Sequence, residues 1–202
     1  MRREHAASKA PLPAGYGVIW SAVALDLVGF GIVLPILPLY AERFGASPSV
    51  IGLVLAAYSV GQLVGAPILG RLSDRYGRKP VLLLALAGSS LGHLVTGLAG
   101  SVWVVLAARA VDGLSGGSVS VAQAAVADLA PPAARARLFG LLGVAFAVGF
   151  VVGPALGSLA ALGGPRLPFF LAAGLSGLNA LTGLRRLPET RPAGAAPAGS
   201  AG

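Results

Sequence analysis

Two apolar runs of membrane-spanning length, at residues 50–69 and 81–99, flank a short charged segment at residues 70–80. An α-helix needs about 20 apolar residues to cross the hydrocarbon core of a bilayer, and each run is close to that length. The segment between the runs carries five charged side chains, four of them basic. Because basic residues concentrate in cytoplasmic loops, this pattern predicts a tight cytoplasmic loop that joins two transmembrane helices.

The composition extends this prediction to the whole chain. Of the 202 residues, 55% are hydrophobic and 11% are charged, whereas soluble domains carry about 25% charged residues. The net charge of +8 is explained by short loops that lie against anionic lipid, so nucleic-acid binding is not expected. Cysteine is absent, which excludes disulfides and cysteine-based metal sites. The sequence therefore predicts an all-α integral membrane protein without cofactor or metal.

The apolar pattern divides the chain into three parts. Residues 1–15 are predicted to be a cytoplasmic tail, residues 16–187 a bundle of six transmembrane helices, and residues 188–202, rich in Pro, Ala and Gly, a disordered tail. A signal peptide is not expected at the start, because the first apolar run is too long and more spans follow it. The six helices are predicted at about 16–40, 49–70, 80–99, 102–127, 137–162 and 167–187.

The basic residues also predict the orientation of the bundle. With six spans, the great majority of the 15 basic residues fall in the tails and loops of one side, whereas Arg43 and Arg166 fall on the other. The positive-inside rule makes the first side cytoplasmic. We therefore expect a multi-pass protein of the cell inner (plasma) membrane with both termini in the cytoplasm.

Three charged residues stand out because they lie well inside predicted spans: Asp26, Arg109 and Asp112. A charge at the bilayer centre costs about 2.5–3.5 kcal/mol on insertion scales and therefore indicates a functional site. Loss of water favours the neutral form of Asp26, whereas a nearby Arg109 favours the carboxylate. Such a group can bind and release protons, which predicts a proton-coupling role. The alternative is an ion pair that only holds helices together, and for Asp112, three residues after Arg109, this is the favoured interpretation.

The charged segment also resembles a known motif. The pattern G-x-L-x-D-R-x-G-R-K-P matches, without departure, the loop between the second and third helices of the major facilitator superfamily. The resemblance implies that this loop stabilises one conformation of a transporter. The matching residues are Gly70, Leu72, Asp74, Arg75, Gly77, Arg78, Lys79 and Pro80.

Three further segments resemble the drug:proton antiporter branch of that superfamily, which includes tetracycline and multidrug exporters. Residues 26–38 are similar to its first helix, and residues 109–117 are similar to its fourth helix, with Arg109 as the basic residue. A fifth-helix antiporter motif is matched within residues 149–157, although a plain packing face of small residues is the alternative. The residues that carry this last motif are Gly149, Gly153, Pro154 and Gly157.

The resemblance of residues 58–67 to the second helix of that branch predicts that Gln62 faces the substrate path. His93 is a second candidate for contact with substrate, because an imidazole titrates near neutral pH. Each has a structural alternative: Gln62 can bridge helices, and His93 can be a buried packing residue. Tetracycline exporters carry an acidic residue in the third helix where this chain has Gly92, which argues against tetracycline itself as substrate. No carboxylate cluster lies beside either histidine in the sequence, and no HExxH pair is present, so an enzyme is not expected.

The superfamily normally has two six-helix halves, and the resemblance covers the amino-terminal half. We therefore expect the chain to be a fragment or truncated gene product, one product of a split gene, or a half that pairs with a second copy of itself. The expected function is proton-coupled efflux of amphiphilic small molecules by alternating access, and the alternative is a membrane interaction module without transport of its own. The expected partners are lipid, protons, a small-molecule substrate, and a second half or copy.

Overall fold

The computed structural model describes residues 11–191, and the regular structure within this range is helical. The helices have the bounds α1 Tyr16–Val33, α2 Leu37–Glu42, α3 Pro48–Tyr76, α4 Arg78–Leu98, α5 Val102–Ser115, α6 Ser118–Leu129, α7 Arg135–Ala161 and α8 Leu167–Arg186, with a 3-10 turn at Pro132–Ala134. Six segments of the described part are long and apolar enough to cross a membrane, with α5 and α6 together forming the fourth. The predicted all-α, six-span fold class is confirmed.

The first predicted helix, 16–40, is interrupted. Helix α1 ends at Val33, and the short α2 starts at Leu37. The cause is Pro35, which has no N–H for the helical hydrogen bond and whose ring clashes with the carbonyl four residues earlier.

The fourth predicted helix, 102–127, is also divided in two. Helix α5 ends at Ser115 and α6 begins at Ser118, with Gly116 and Gly117 between them. Glycine is the weakest helix former after proline, and here it also leaves room for a neighbour. A side chain at Gly116 would lie 2.7 Å from the hydroxyl of Tyr58 in α3.

The charged segment 70–80 is helical except at one residue, so the predicted helix ends at 70 and 80 were wrong. Helix α3 continues to Tyr76, and α4 starts at Arg78. The single linking residue is Gly77, whose φ of +99° is a conformation that favours glycine. Charges such as Arg75 do not stop a helix once it has left the hydrocarbon, since water solvates the side chain and the backbone bonds stay within the helix.

Three pairs of helices pack most extensively: α1 with α7, α3 with α5, and α4 with α8. Small residues permit the closest of these approaches. A side chain at Gly153 of α7 would lie 2.6 Å from the Cα of Gly31 in α1, and one at Gly61 of α3 would lie 2.6 Å from the carbonyl of Ala110 in α5. This packing is typical of membrane bundles, in which close backbone contact replaces the hydrophobic effect between helices.

Candidate substrate and proton site

A cavity of about 290 Å³ lies between the helices, and its walls combine polar and aromatic side chains. The cavity draws residues from α1, α3, α4, α5, α6 and α7. Its aromatic residues are Phe30, Tyr58, Phe146 and Phe150, and its polar side chains are Asp26, Ser59, Gln62, Ser89, His93 and Asp112. Four of the residues predicted for the site from sequence, Asp26, Gln62, His93 and Asp112, are thus brought together.

Asp26 contacts a hydroxyl group rather than a basic side chain. The Ser118 hydroxyl donates a hydrogen bond of 2.6 Å to Oδ2 of Asp26. Ser118 is buried and is the first residue of α6, so the break at Gly116 and Gly117 sets its position. Sequence reasoning missed Ser118, because a single serine beside two glycines carries no distinctive signal.

Arg109 is the largest fully buried side chain of the described residues, with 1% of its surface exposed. Its Nη1 contacts Oδ2 of Asp112, which is the pairing that the i, i+3 spacing predicts. The guanidinium carbon also lies 4.4 Å from the ring centre of Tyr58 and 5.9 Å from that of Phe30. These cation–π contacts replace part of the hydration that the buried charge has lost.

His93 lies next to a carboxylate, which the sequence did not predict. Its Nδ1 is 3.6 Å from Oδ2 of Asp112, and both side chains are about 3% exposed. The approach depends on Gly92, because a Cβ at that position would lie 2.7 Å from the Cβ of Asp112. The carboxylate of Asp112 on α5 therefore packs against the position on α4 where the resemblance expects an acidic residue.

Gln62 lines the cavity and also bridges two helices. Its Nε2 donates a 3.0 Å hydrogen bond to the carbonyl of Gly116. That carbonyl lies at the break between α5 and α6, where helical hydrogen bonding is interrupted. The predicted role of Gln62 as a bridge between helices is therefore supported by a hydrogen bond, whereas its contact with substrate stays a prediction.

A second polar cluster lies at the junction of α3 and α4, around Arg78. The side chain of Arg78 is 7% exposed and donates to Ser73 Oγ over 2.7 Å. It also lies 2.9 Å from carboxylate oxygens of Asp74 and of Asp128, the latter near the end of α6. Sequence reasoning predicted Asp74 and Arg78 but missed Asp128, which is fifty residues away in the chain.

The segment that follows α8 joins this cluster. Glu189 accepts hydrogen bonds from the backbone N–H groups of Arg78, at 2.8 Å, and Lys79, at 3.2 Å. It thereby caps the first turn of α4, whose N–H groups lack helical partners. Arg191 reaches Oδ1 of Asp74 at 2.9 Å. Glu189 and Arg191, from the tail 188–202 that was predicted to be disordered, thus make defined contacts, and the part of that tail beyond Arg191 lies outside the described residues.

Other residues of the loop motif have different surroundings. Arg75 is exposed, and its guanidinium carbon lies 5.4 Å from the ring centre of Tyr76. Gly70 has open space where a side chain would be, whereas a side chain at Gly77 would meet the carboxylate of Glu189. Among the basic residues of the motif, Arg78 is thus the buried one.

The predicted antiporter motif on α7 forms the contact surface with α1. Added side chains at Gly149, Gly153 and Gly157 would collide with Leu27, Gly31 and Ile32, respectively. Pro154 lies within α7, and the helix continues through it. Close contact at these three glycines is expected both for a plain packing face and for an antiporter motif. The role of the motif in transport therefore stays a prediction.

The described residues contain no group of three or more His, Cys, Asp or Glu side chains that could hold a metal ion. A helical membrane bundle with polar side chains around an internal cavity is a feature of secondary membrane transporters. The model of the Major Facilitator Superfamily matches residues 19–202, and the chain belongs to this family.

Similar proteins agree with this assignment. The chain is 40% identical over 176 residues to the class C tetracycline resistance protein of Escherichia coli and 38% identical over 174 residues to the class E protein of the same species. The matches cover 86% and 85% of this chain but 44% and 43% of the two relatives. The chain therefore spans less than half the length of the relatives that it matches.

A solved structure supports the fold independently. The crystal structure of the human organic anion transporter MFSD10 (TETRAN) is similar with a TM-score of 0.78 and 34% sequence identity. The similarity covers 88% of this chain and 48% of that one. The predicted membership of the family and the likeness to tetracycline resistance proteins are both confirmed.

Proposed function

We propose that this chain supplies the amino-terminal half of a proton-coupled antiporter that exports amphiphilic small molecules by alternating access. The protein would lie in the plasma membrane with the charged α3–α4 junction, and both ends of the chain, on the cytoplasmic side. The orientation rests on the distribution of basic residues.

The observation that carries the proposal is the unbalanced carboxylate of Asp26 in the cavity. The charges of Arg109 and Asp112 offset each other in a direct ion pair. Asp26 has the neutral Ser118 as its hydrogen-bond partner and no ion-pair partner among the described residues. A proton or a cationic group of a substrate can therefore neutralise Asp26, and competition between the two is a basis for antiport.

The cavity walls support an amphiphilic substrate. Phe30, Tyr58, Phe146 and Phe150 offer ring faces and edges to an apolar or aromatic body. Gln62 and Asp26 offer polar contacts to its other end. This combination of an apolar lining with few polar groups is typical of small-molecule sites.

Two features support a change between conformations. The closest contacts between α1 and α7 are made through glycines such as Gly153 and Gly31, which bring the two backbones together without bulky side chains at those positions. The cluster around Arg78 links the ends of α3, α4 and α6, and it would have to rearrange if those ends separated.

A second six-helix unit is the proposed partner, from another chain or a second copy. Large apolar side chains of α3 are exposed on this bundle, and they offer a surface to such a unit or to lipid: Val60, Leu63, Val64 and Ile68. The chain matches less than half of the length of the two tetracycline resistance proteins, which agrees with the need for a second unit.

Dye uptake into inverted membrane vesicles with an acidified interior tests the proposal. The chain is expressed alone and together with the part of the class C relative that it does not cover. We expect ethidium accumulation in at least one arrangement, and its loss in Asp26→Asn. The matched control is Glu42→Gln, an exposed acid outside the cavity. Absence of uptake in both arrangements would contradict transport, and full uptake by Asp26→Asn would remove Asp26 from the mechanism.

A further inference from the structure

The geometry around Asp112 brings two nitrogen atoms close to one carboxylate oxygen. Nη1 of Arg109 contacts Oδ2 of Asp112, and Nδ1 of His93 lies 3.6 Å from the same atom. His93, Arg109 and Asp112 are all buried, and at most 2% of the surface of each whole residue is exposed. The site is thus removed from bulk water, where a change of charge has large electrostatic effects.

The hydrogen bonding of this group is incomplete. His93 Nδ1 and Arg109 Nε are both buried and have no hydrogen-bond partner among the described residues. An unpaired buried polar atom costs about 1–3 kcal/mol. The group around Asp112 therefore has hydrogen-bonding capacity that the observed arrangement does not use.

We propose that His93 is a second proton-binding residue of the transport site, acting through Asp112. A proton that enters the cavity from the aqueous phase forms an N–H bond at Nδ1, and the resulting imidazolium donates to Oδ2 of Asp112. The second charged donor weakens the hold of Asp112 on Arg109. This inference rests on the proposed proton coupling and extends it to a second residue.

The surroundings of His93 fit such an exchange. The charged and titratable groups of the cavity walls and the neighbouring helices are Asp26 on α1, Tyr58 on α3, and Arg109 and Asp112 on α5. With Asp26 ionised, these groups sum to one negative charge, so one further proton on His93 leaves the site neutral. The helices α6, α7 and α8 contribute neutral side chains here, namely Ser118, Phe146 and Ser176.

The chain allows a direct spectroscopic test, because it has two histidines. The substitution His5→Gln leaves His93 as the one histidine of the sequence, so every histidine signal belongs to it. The full chain with this substitution is labelled with 15N-histidine and reconstituted in lipid nanodiscs. Solid-state NMR follows both ring nitrogens from pH 5 to pH 9. We expect His93 to pass from a neutral to a doubly protonated ring over this range. In Asp112→Asn we expect less of the doubly protonated ring, because an anion that stabilises the charged ring is removed.

A second measurement needs no substitution at Asp112, which protects the test if that variant does not fold. With 13C-labelled aspartate, the distance between His93 Nδ1 and the nearest carboxyl carbon is measured at both ends of the pH range. We expect it to shorten at low pH. A ring that stays neutral throughout, or an unchanged distance, would overturn the proposal. Neither readout requires transport, so a titrating His93 in a chain that fails the vesicle assay would contradict the transport function and leave the proton site standing.

Discussion

Arg78, the first residue of α4, donates from Nε to Oδ2 of Asp128 near the end of α6 over 2.9 Å, although fifty residues separate the two in the chain. The same guanidinium reaches Asp74 and Ser73 at the end of α3. One buried cation therefore ties together three helix ends on one side of the bundle. Loss of this cation would remove the ion pair that Asp128 makes with Arg78, whereas Asp74 would keep its contact with Arg191.

Arg78→Ala is therefore expected to lower the free energy of unfolding by about 1.5–3 kcal/mol, the range for hydrogen bonds to charged groups. Tryptophan fluorescence during denaturation in detergent measures the change. Arg75→Ala is the matched control, because Arg75 belongs to the same motif but is exposed, and its loss should change stability by about 0.5 kcal/mol or less. Equal effects of the two substitutions would show that the Arg78 contacts do not stabilise the bundle.

The contact between α1 and α7 predicts a sharp contrast between two glycines of α7. Gly153→Ala should destabilise the protein by about 1–3 kcal/mol, because the new methyl group meets the backbone of Gly31, which cannot move aside without shifting a helix. Gly143→Ala should cause no loss, because open space surrounds that position and alanine favours the helix. Thermal denaturation of both variants in the same detergent makes the comparison. Tolerance of alanine at Gly153 would mean that the helices lie further apart.

The hydrogen bond from Ser118 to Asp26 predicts an effect on transport. Ser118→Ala removes a donor to a carboxylate, worth about 1.5–3 kcal/mol, and should reduce proton-driven dye uptake about tenfold or more. Ser118→Thr keeps the hydroxyl and should retain most of the uptake. Ser120→Ala on the same helix controls for the loss of a serine as such. If Ser118→Ala and Ser120→Ala behave alike, the hydroxyl has no part in coupling.

Orientation can be tested without prior removal of native thiols, because the chain contains no cysteine. Gly100→Cys lies in the exposed link between α4 and α5, and Arg71→Cys lies near the α3–α4 junction. A membrane-impermeant maleimide should label Gly100→Cys in intact cells, and Arg71→Cys only after permeabilisation. The reverse pattern would invert the proposed topology. Neither substitution introduces a steric conflict, because both positions are exposed.

Hydropathy alone predicted the number of spans, because the requirement for about 20 apolar residues per crossing is a local property of the sequence. It misjudged the helix ends for equally physical reasons. At the α3–α4 junction it treated charge as the end of a helix, whereas the helix continues beyond the hydrocarbon as far as Gly77. In the fourth span it overlooked that Gly116 and Gly117 interrupt the helix.

Residues of the candidate site were predictable from sequence where a charged side chain lies in a membrane span, which costs free energy. They were not predictable where the residue type is common at its position. Asp26, Arg109 and Asp112 were found because charge in a membrane span is rare. Ser118, Asp128 and Glu189 were missed because serine is common and because acidic residues at helix ends need no special explanation. Their contacts with Asp26, Arg78 and the N-terminus of α4 depend on residues far away in the chain.

The sequence by itself determined that this is a six-span membrane protein with buried charges, since composition and periodicity are enough to choose lipid over water as the solvent of a helix. Only the tertiary structure decided which charges meet. The packing of α4 against α5 at Gly92 brings His93 to the carboxylate of Asp112, and the helix break before Ser118 directs its hydroxyl to Asp26. Hydrogen bonds and ion pairs act over a few ångströms, so they follow from how helices pack and not from how residues are spaced.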